Sequence, residues 1–355
     1  NLSVGVYKDA SGKTPILPSV KAAEQLVLQS ETTKSYRPIP GAADYASAVQ
    51  QLMLGADHEI IASKRAITAH TPGGTGALRV AGDYINKLHP GSAIWLPDPT
   101  WANHGAIFKA AGLEVKSYAY FSADKNAVDF DAMMASLKQI PAGDVVLLHG
   151  CCQNPTGADP SVEQWSQIGD ILADRGALPL IDFAYQGFAD SLQQDAAGLL
   201  AMCRPGRELI ICSSFSKNFG LYCERVGAIT FVASDQNTVQ KVLSQVKVCI
   251  RTNYSNPPAH GASIVVAILA DDALRTQWEG ELADMRNRIN GMRKLFVQTL
   301  ADKGASGNFD FITRQRGMFS FSGLTKDQVQ RLRNEYAIYI VGSGRINVAG
   351  ITDAN

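Results

Sequence analysis

A lysine among hydroxyl side chains is the feature of this 355-residue sequence that most clearly permits covalent chemistry. Lys217 lies in the run Cys212-Ser-Ser-Phe-Ser-Lys-Asn-Phe-Gly220. Its amine can form a Schiff base with an aldehyde, and the hydroxyl group of Ser214 can help to bind a phosphate. The run therefore predicts a binding site for a phosphorylated aldehyde.

A second pair of residues, earlier in the chain, suits the other end of such a molecule. The apolar run 178–181 ends in Asp182, and Tyr185 follows shortly after it. A buried carboxylate keeps a neighbouring pyridine nitrogen protonated, because opposite charges stabilise each other where water is scarce. Considered singly, Asp182 is typical of a helix cap or turn, and Tyr185 of a packed core. Together with Lys217 they indicate pyridoxal 5′-phosphate (PLP).

Three further features fit the phosphate and the ring of that cofactor. The run Gly73-Gly-Thr-Gly76 precedes apolar positions at helical spacing, which predicts a helix N-terminus whose free N–H groups attract phosphate. Arg225 can bind phosphate with two donors at once, although an isolated arginine is more often a surface residue. Trp101 offers a flat face for stacking on a ring, although a single tryptophan is more often part of a core.

Other motif-like segments do not meet the spacing that their chemistry requires. The run Gly12-Lys-Thr14 lacks the earlier glycine of a nucleotide-binding P-loop, and the glycines at 73–76 lack the full dinucleotide fingerprint. His149 with Cys151 and Cys152 is too crowded for a usual zinc site. We therefore predict no metal.

The elements that must position these residues alternate along the chain. Apolar runs at 93–96, 145–148, 178–181, 208–212 and 228–232 are separated by helical stretches, which predicts an α/β fold with a mainly parallel sheet. Apolar residues recur every three or four positions from 278 to 300, which predicts one long helix. Short runs at 318–322, 339–341 and 345–348 predict a smaller C-terminal α+β unit.

Composition narrows the class of protein. Lysine and arginine total 33, and aspartate and glutamate also total 33, so no general attraction to nucleic acid or to an anionic membrane is expected. No run approaches the roughly 20 apolar residues of a membrane span. The six cysteines form no Cys-x-x-Cys pair, which favours a reducing compartment. We predict a cytoplasmic protein that binds neither nucleic acid nor membrane.

Across nearly its whole length the sequence resembles a known family, the aspartate and aromatic amino acid aminotransferases among the fold-type I PLP enzymes, and especially bacterial aspartate aminotransferase. The matching motifs are long and keep their order. They lie at 71–79, 98–104, 149–157, 182–188, 213–222, 253–258 and 343–350.

The resemblance implies a role for each matching residue. Lys217 would bind the cofactor covalently and then move a proton between the substrate α-carbon and cofactor C4′, with Asp182 and Tyr185 completing the catalytic set. His104 and His149 would support Asp182 from behind. The implied cofactor-binding residues are Gly74, Thr75, Trp101, Asn154, Asp182, Tyr185, Ser214, Lys217 and Arg225, joined by the partner subunit's Tyr36.

Substrate choice would depend on two arginines. Arg345 would bind the α-carboxylate, and Arg251, contributed by the partner subunit, would bind the side-chain carboxylate of aspartate or glutamate. The implied substrate-binding residues are Gly5, Trp101, Asn154, Arg251 and Arg345. Residues that resemble the aspartate-preferring type are Val6, Lys8, Thr14, Thr75 and Asn256.

These residues predict transfer of an amino group from aspartate to 2-oxoglutarate by a ping-pong mechanism, giving oxaloacetate and glutamate. Dual-specificity relatives keep the same distal arginine and move it aside, so an aromatic amino acid aminotransferase stays open as the alternative. A PLP-dependent lyase or decarboxylase on the same scaffold, and a PLP-binding regulatory module, are alternatives from other classes.

The resemblance also implies the domain organisation. A large PLP-binding domain is expected at 14–284, and a small domain assembled from 1–13 and 285–355. Relatives extend further at both ends, which indicates an incomplete chain. A homodimer with active sites shared across the interface is expected, with amino acids and keto acids as substrates.

Overall fold

The computed structural model describes residues 1–352, which form a mixed α/β structure around a seven-stranded sheet. The strands are β1 (Ala66–Pro72), β2 (Ala93–Asp98), β3 (Glu114–Ala119), β4 (Phe121–Ser122), β5 (Ala127–Val128), β6 (Val145–His149), β7 (Leu178–Phe183), β8 (Leu209–Ser214), β9 (Val226–Val232), β10 (Phe319–Phe321) and β11 (Arg345–Asn347). The helices are α1 (Pro18–Ser30), α2 (Ala43–Leu54), α3 (Glu59–Ala62), α4 (Gly73–Leu88), α5 (Asn103–Ala110), α6 (Phe130–Leu137), α7 (Val162–Arg175), α8 (Leu192–Met202), α9 (Gln236–Asn253), α10 (His260–Ala270), α11 (Asp272–Asp302), α12 (Phe311–Arg314) and α13 (Lys326–Tyr336), with a short 3₁₀ turn at Val348–Gly350.

The main sheet has the strand order β1-β9-β8-β7-β6-β2-β3. Strands β3, β2, β6, β7 and β8 are parallel neighbours, whereas β9 runs antiparallel to both β8 and β1. Every residue of β6, β8 and β9 is buried, which explains why the central strands read as continuous apolar runs. The predicted mainly parallel α/β fold is confirmed.

Strand direction brings the ends of distant segments to one edge of the sheet. The carboxyl ends of β1, β2, β6, β7 and β8 lie together there, and β9, being antiparallel, has its amino end at the same edge. Ligands of open α/β sheets bind outside this edge. The segments that follow residues 72, 98, 149, 183 and 214, and the residue that precedes 226, therefore meet in one place.

The first residues of the chain pack against the segment 339–347. Strands β10 and β11 pair antiparallel, with Phe319 opposite Asn347. The backbone N–H of Asn347 donates to the carbonyl of Leu2 at 2.8 Å, and the N–H of Leu2 donates to the carbonyl of Tyr339 at 2.7 Å. The run 339–341 therefore contacts the N-terminal segment without forming a regular strand.

The long predicted helix is α11, which extends from Asp272 to Asp302. The boundaries 14–284, 1–13 and 285–355 stay predictions. Within residues 1–352, no helix combines the length and the apolar character that crossing a membrane requires.

Candidate active site

A chain of four polar side chains lies at the carboxyl edge of the sheet. Asp182 lies in the buried second half of β7, and its Oδ2 lies 2.9 Å from His104 Nε2. The Nδ1 atom of His104 lies 2.8 Å from the hydroxyl group of Thr100, which in turn lies 3.1 Å from His149 Nε2. Because β6 and β7 are parallel neighbours, His149 and Asp182 occupy opposite positions in the sheet.

The pKa shifts of Asp182 and His149 indicate the charge that each of these two side chains carries. Burial alone would raise the pKa of Asp182, but the hydrogen bond from His104 and the nearby charge of Lys217 outweigh burial and hold that pKa below its ordinary value. An ionised Asp182 only accepts, so His104 donates to it through Nε2. The pKa of His149 is lowered to about 3, mainly by burial, so His149 is neutral.

Lys217 lies on the other side of the same carboxylate. Its side chain is half-buried, and its Nζ atom lies 5.0 Å from the centroid of the Tyr185 ring. Burial lowers the pKa of the Lys217 amine, Asp182 opposes that effect, and Arg225 adds to it. A larger share of the amine is therefore neutral and nucleophilic than in free lysine.

The start of α4 provides a cradle for an anion. The first N–H groups of a helix have no partner within it, so those of Gly74 and Thr75 are available to a phosphate. A Cβ atom at Gly73 would lie 2.3 Å from Arg225 Nη2, and one at Gly74 would lie 3.0 Å from Ser214 Cβ. Only glycine lets the helix start approach both side chains this closely.

Arg225 completes that cradle from a strained position. Its backbone has a φ of 54°, a left-handed conformation that is uncommon for a residue with a side chain. The guanidinium Nη1 donates to the carbonyl of Tyr222 at 3.0 Å and to the hydroxyl of Ser216 at 3.4 Å. Strain of this kind concentrates at functional sites, and an exposed guanidinium beside a helix N-terminus suits phosphate.

The opposite end of the site holds Arg345 and Asn154. Arg345 Nη1 donates to Asn154 Oδ1 at 3.3 Å, and Nη2 donates to the carbonyl of Ser3 at 2.8 Å. The Nε atom is buried and has no hydrogen-bond partner among the described residues. A carboxylate that reached this guanidinium would therefore gain a donor that the protein leaves unused.

A cavity of about 320 Å³ joins the two ends of the site. This volume is at the lower end for small-molecule sites. Predicted site residues that line it are Gly5, Gly74, Thr75, Trp101, His149, Asn154, Asp182, Tyr185, Ser214, Lys217, Arg225 and Arg345. The cradle, the anionic Asp182 and the amine of Lys217 together fit a phosphorylated pyridine aldehyde.

Of the predicted cofactor-binding and substrate-binding residues, two lie outside this cavity. Tyr36 is 92% exposed, and Arg251, near the end of α9, is also exposed, with its Nη1 atom 2.5 Å from the hydroxyl of Ser255. Their surroundings nevertheless touch, because Asn256 Nδ2 donates to the carbonyl of Arg37 at 3.5 Å. This hydrogen bond joins the segment just after Tyr36 to the turn just after Arg251.

The structure also shows three residues, in the cavity or in the hydrogen-bonded series around Asp182, that sequence reasoning missed. Thr100 links the two histidines, Ser216 contacts Arg225, and the ring of Phe319 lines the cavity. Thr100 and Ser216 lie inside motifs that the sequence analysis quoted, so the motifs contained the signal. In the sequence Phe319 is typical of an ordinary strand residue, and its spacing does not indicate a place in the site.

One group of possible metal ligands lies behind the site. Cys151, Cys152 and Asp195 bring their ligand atoms within 4.8 Å of one another, and His149 is not among them. The Asp195 carboxylate already accepts four backbone N–H groups, from residues 187, 189, 190 and 191. The carboxylate therefore has an evident structural role in ordering that turn.

The fold and the site together define a PLP-dependent transferase. The profile of the family "Aminotransferase class I and II" matches residues 1–355. The chain is 58% identical to an aspartate aminotransferase of Salmonella typhi, over all of this chain and 90% of that protein. It is 50% identical to an aromatic-amino-acid aminotransferase of Pseudomonas aeruginosa, over 99% of this chain and 88% of that protein.

A solved structure gives the same result. The crystal structure of an aromatic-amino-acid aminotransferase from Burkholderia pseudomallei, covalently bound to pyridoxal phosphate, superposes with a TM-score of 0.98 at 46% identity, covering all of this chain and 89% of that one. The chain belongs to the class I and II aminotransferase family. The predictions of the family, of aminotransferase activity and of PLP as the cofactor are confirmed.

Proposed function

We propose that this aminotransferase transfers the amino group of aspartate to 2-oxoglutarate, releasing oxaloacetate and glutamate in two half-reactions. The observation that carries the proposal is the arrangement of the cavity, which has a phosphate cradle at one end and a guanidinium with an unused donor, that of Arg345, at the other. The 58% identity to the Salmonella typhi aspartate aminotransferase supports the choice of substrate.

The proposed residue roles follow from chemistry at each position. PLP, when bound, supplies an aldehyde and a ring that withdraws electrons from the substrate α-carbon. Asp182, kept ionised, would pair with the ring nitrogen. Asn154 and Tyr185 would hydrogen-bond the ring oxygen, and Trp101 would stack on the ring. His104 and His149 would hold Asp182 in place.

Proton movement would fall to Lys217. Because burial and Arg225 lower the pKa of its amine, Lys217 Nζ has a lone pair available to take a proton from the substrate α-carbon. An amine held beside the reacting carbon gains from proximity, which in favourable cases is worth roughly 7 to 11 kcal/mol of the barrier. The same group would return the proton on the other side of the reaction.

The carboxylates would be bound separately. Arg345 would bind the α-carboxylate that all substrates share, with Gly5 leaving room for the substrate beside Phe319. Arg251 would bind the distal carboxylate after entering the site of a second subunit together with Tyr36, and the exposure of both side chains outside the cavity supports this entry. The active enzyme is then a homodimer, and we place it in the cytoplasm with a large domain at 14–284.

A charge-reversal experiment tests the substrate assignment. Arg251→Asp should lower kcat/KM for aspartate by about tenfold or more, because one charge-assisted hydrogen bond to the substrate is lost and a repulsion is added. The variant should gain activity on arginine, a cationic substrate. The rates for phenylalanine should stay within a few-fold of the parent enzyme.

The matched control is Lys241→Asp, which makes the same charge change on an exposed residue of the same helix α9. It should leave all three rates unchanged. An unchanged aspartate preference in Arg251→Asp would remove Arg251 from the distal-carboxylate role. Ammonia or CO₂ released without a keto-acid acceptor would instead indicate the lyase or decarboxylase alternative.

The second candidate function is that of an aromatic amino acid aminotransferase. It is favoured by the 50% identity to the Pseudomonas aeruginosa enzyme and by the structural match to the Burkholderia pseudomallei enzyme. Single-turnover release of keto acid from aspartate and from phenylalanine, at equal concentrations below saturation, separates the two. Comparable or faster release from phenylalanine would make the aromatic assignment the better one.

A further inference from the structure

Arg293 is a buried cation for which residues 1–352 provide no counter-ion. Its side chain, on α11, is 1% exposed, and no ion pair within residues 1–352 includes it. Burial lowers the pKa of its guanidinium to about 9, which still leaves it charged at neutral pH. Burial of an unpaired charge is unfavourable unless hydrogen bonds offset it, so the partners of Arg293 show what it does.

All of those partners belong to one short segment, residues 312–320. Nη1 donates to the carbonyl of Ile312 at 3.1 Å and makes a short hydrogen bond to the hydroxyl of Ser320. Nη2 donates to the carbonyls of Gly317 and Phe319, each at 2.6 Å. The planar guanidinium, whose donors have fixed directions, therefore fixes the backbone of this segment on both sides of Met318.

The segment carries Phe319, whose ring lines the active-site cavity. The guanidinium carbon of Arg345 lies 4.3 Å from the ring centroid, within cation–π distance. The edge of the ring meets Tyr185, with the centroids 6.0 Å apart. On the substrate side a Cβ atom at Gly5 would lie 3.1 Å from Phe319 Cζ, so the ring also limits the space there.

The same segment packs against the turn that carries Asn154. The N–H of Arg316 donates to the carbonyl of Gly157 at 2.7 Å. A Cβ atom at Gly157 would lie 2.8 Å from the carbonyl oxygen of Phe319, and one at Gly317 would lie 2.4 Å from Cys152 Cβ. A displaced segment would therefore change the separation of Asn154 and Arg345, which are joined by a 3.3 Å hydrogen bond.

We propose that Arg293 is a positioning residue for carboxylate binding: its four hydrogen bonds hold the 312–320 segment so that the Phe319 ring supports the Arg345 guanidinium. The proposal rests on the proposed role of Arg345 as the α-carboxylate ligand. Without the ring face, Arg345 has more side-chain conformations to lose when substrate binds, and binding weakens.

The expected signature is a change in KM with little change in kcat. Both the amino acid and the keto acid carry an α-carboxylate, so KM should rise for aspartate and for 2-oxoglutarate alike. The range typical of a cation–π contact corresponds to a rise of about 2- to 30-fold. The ratio of aspartate to phenylalanine activity should stay unchanged, because that ratio depends on the distal group and not on the α-carboxylate.

The test compares Arg293→Lys and Phe319→Leu in the PLP-loaded enzyme. Lysine at position 293 keeps the positive charge but has no planar guanidinium to bind several carbonyl groups at once. Leucine at position 319 keeps an apolar contact but has no aromatic ring for the Arg345 guanidinium. Each variant should raise KM for both substrates and weaken the equilibrium binding of succinate, a dicarboxylate with no amino group to transfer. Because the two side chains act in one path, the double variant should show no more than the larger single effect.

Lys294→Met, on the exposed neighbour of Arg293, is the matched control and should leave KM and succinate binding unchanged. Melting temperatures establish that each variant is folded. Folded Arg293→Lys and Phe319→Leu variants with unchanged KM and unchanged succinate binding would overturn the proposal. Arg345→Lys tests the role of Arg345 separately from that of Arg293. If this variant does not raise KM for either substrate, the proposed binding of the α-carboxylate by Arg345 is wrong, whatever the result for Arg293.

Discussion

Gly227 gives the sharpest prediction about how the cofactor phosphate is held. This residue of β9 lies opposite Ser214 of β8 and Thr71 of β1. A Cβ atom there would lie 2.4 Å from the carbonyl carbon of Gly73 and 2.7 Å from the carbonyl oxygens of Gly73 and Ser213. All three are backbone atoms, so no flexible side chain can move out of the way.

The expected effect of Gly227→Ala follows from that geometry. Ordinary contact between carbon atoms needs a separation about 1 Å greater than the space allows, so the start of α4 must move by roughly that distance. Such a shift removes at least one charge-assisted hydrogen bond to phosphate, which is worth about 1.5 to 3 kcal/mol. The dissociation constant for PLP should therefore rise about 10- to 150-fold.

The assay is a titration of cofactor-free protein with PLP, followed by tryptophan fluorescence, beside a thermal melt. Gly280→Ala is the matched control, because a Cβ atom at Gly280, within α11, meets nothing within 4 Å. That variant should keep the affinity and gain about 0.5 to 1 kcal/mol of stability from the better helix former.

A folded Gly227→Ala variant that binds PLP as tightly as the parent would refute the reasoning, since it would show that phosphate is not held between α4 and the β8–β9 pair. If that variant does not fold, Gly74→Ala provides a milder version. Its Cβ atom would lie 3.0 Å from Ser214 Cβ, a side-chain atom, so a smaller shift and a smaller loss of affinity are expected.

Two further predictions concern the groups around Asp182. Lys217→Ala should abolish turnover while PLP still binds non-covalently, as measured by steady-state rates and by cofactor titration; near-normal turnover would remove Lys217 from catalysis. His104→Phe should raise the pKa of Asp182, because burial, which raises it, is then unopposed by the hydrogen bond. Activity that depends on the ionised carboxylate is lost as the pH falls through that pKa, so the acid limb of kcat/KM should move to higher pH, and a uniform loss without a shift would contradict this account.

The sequence was enough to predict the residues that follow the strands of the main sheet. Asp182, Ser214 and Lys217 lie at or after strand ends that apolar runs had marked, and the glycines at 73–76 do begin a helix. Parallel strands bring their carboxyl ends to one edge, so local patterns were sufficient to collect these side chains into one site.

Contacts between distant segments were beyond the same reasoning. Thr100 joins two histidines only because β2 and β6 are neighbours in the sheet, and Phe319 reaches the cavity because Arg293 holds its segment there. The left-handed backbone of Arg225 leaves no trace in its residue type. Tyr36 and Arg251 are exposed outside the cavity, and their proposed roles depend on a second subunit, which a single chain does not contain.

The charge of Asp182 and the charge of Lys217 shift each other's pKa. Asp182 raises the pKa of Lys217, while burial and Arg225 lower it. A cation that paired with Asp182, as a protonated ring nitrogen would, would offset the negative charge of the carboxylate. The pKa of Lys217 would then fall, because Asp182 is the group that raises it. If Asp182 pairs with the ring nitrogen as proposed, cofactor binding there and release of the proton from Lys217 would be coupled, and His104 would contribute by keeping Asp182 ionised.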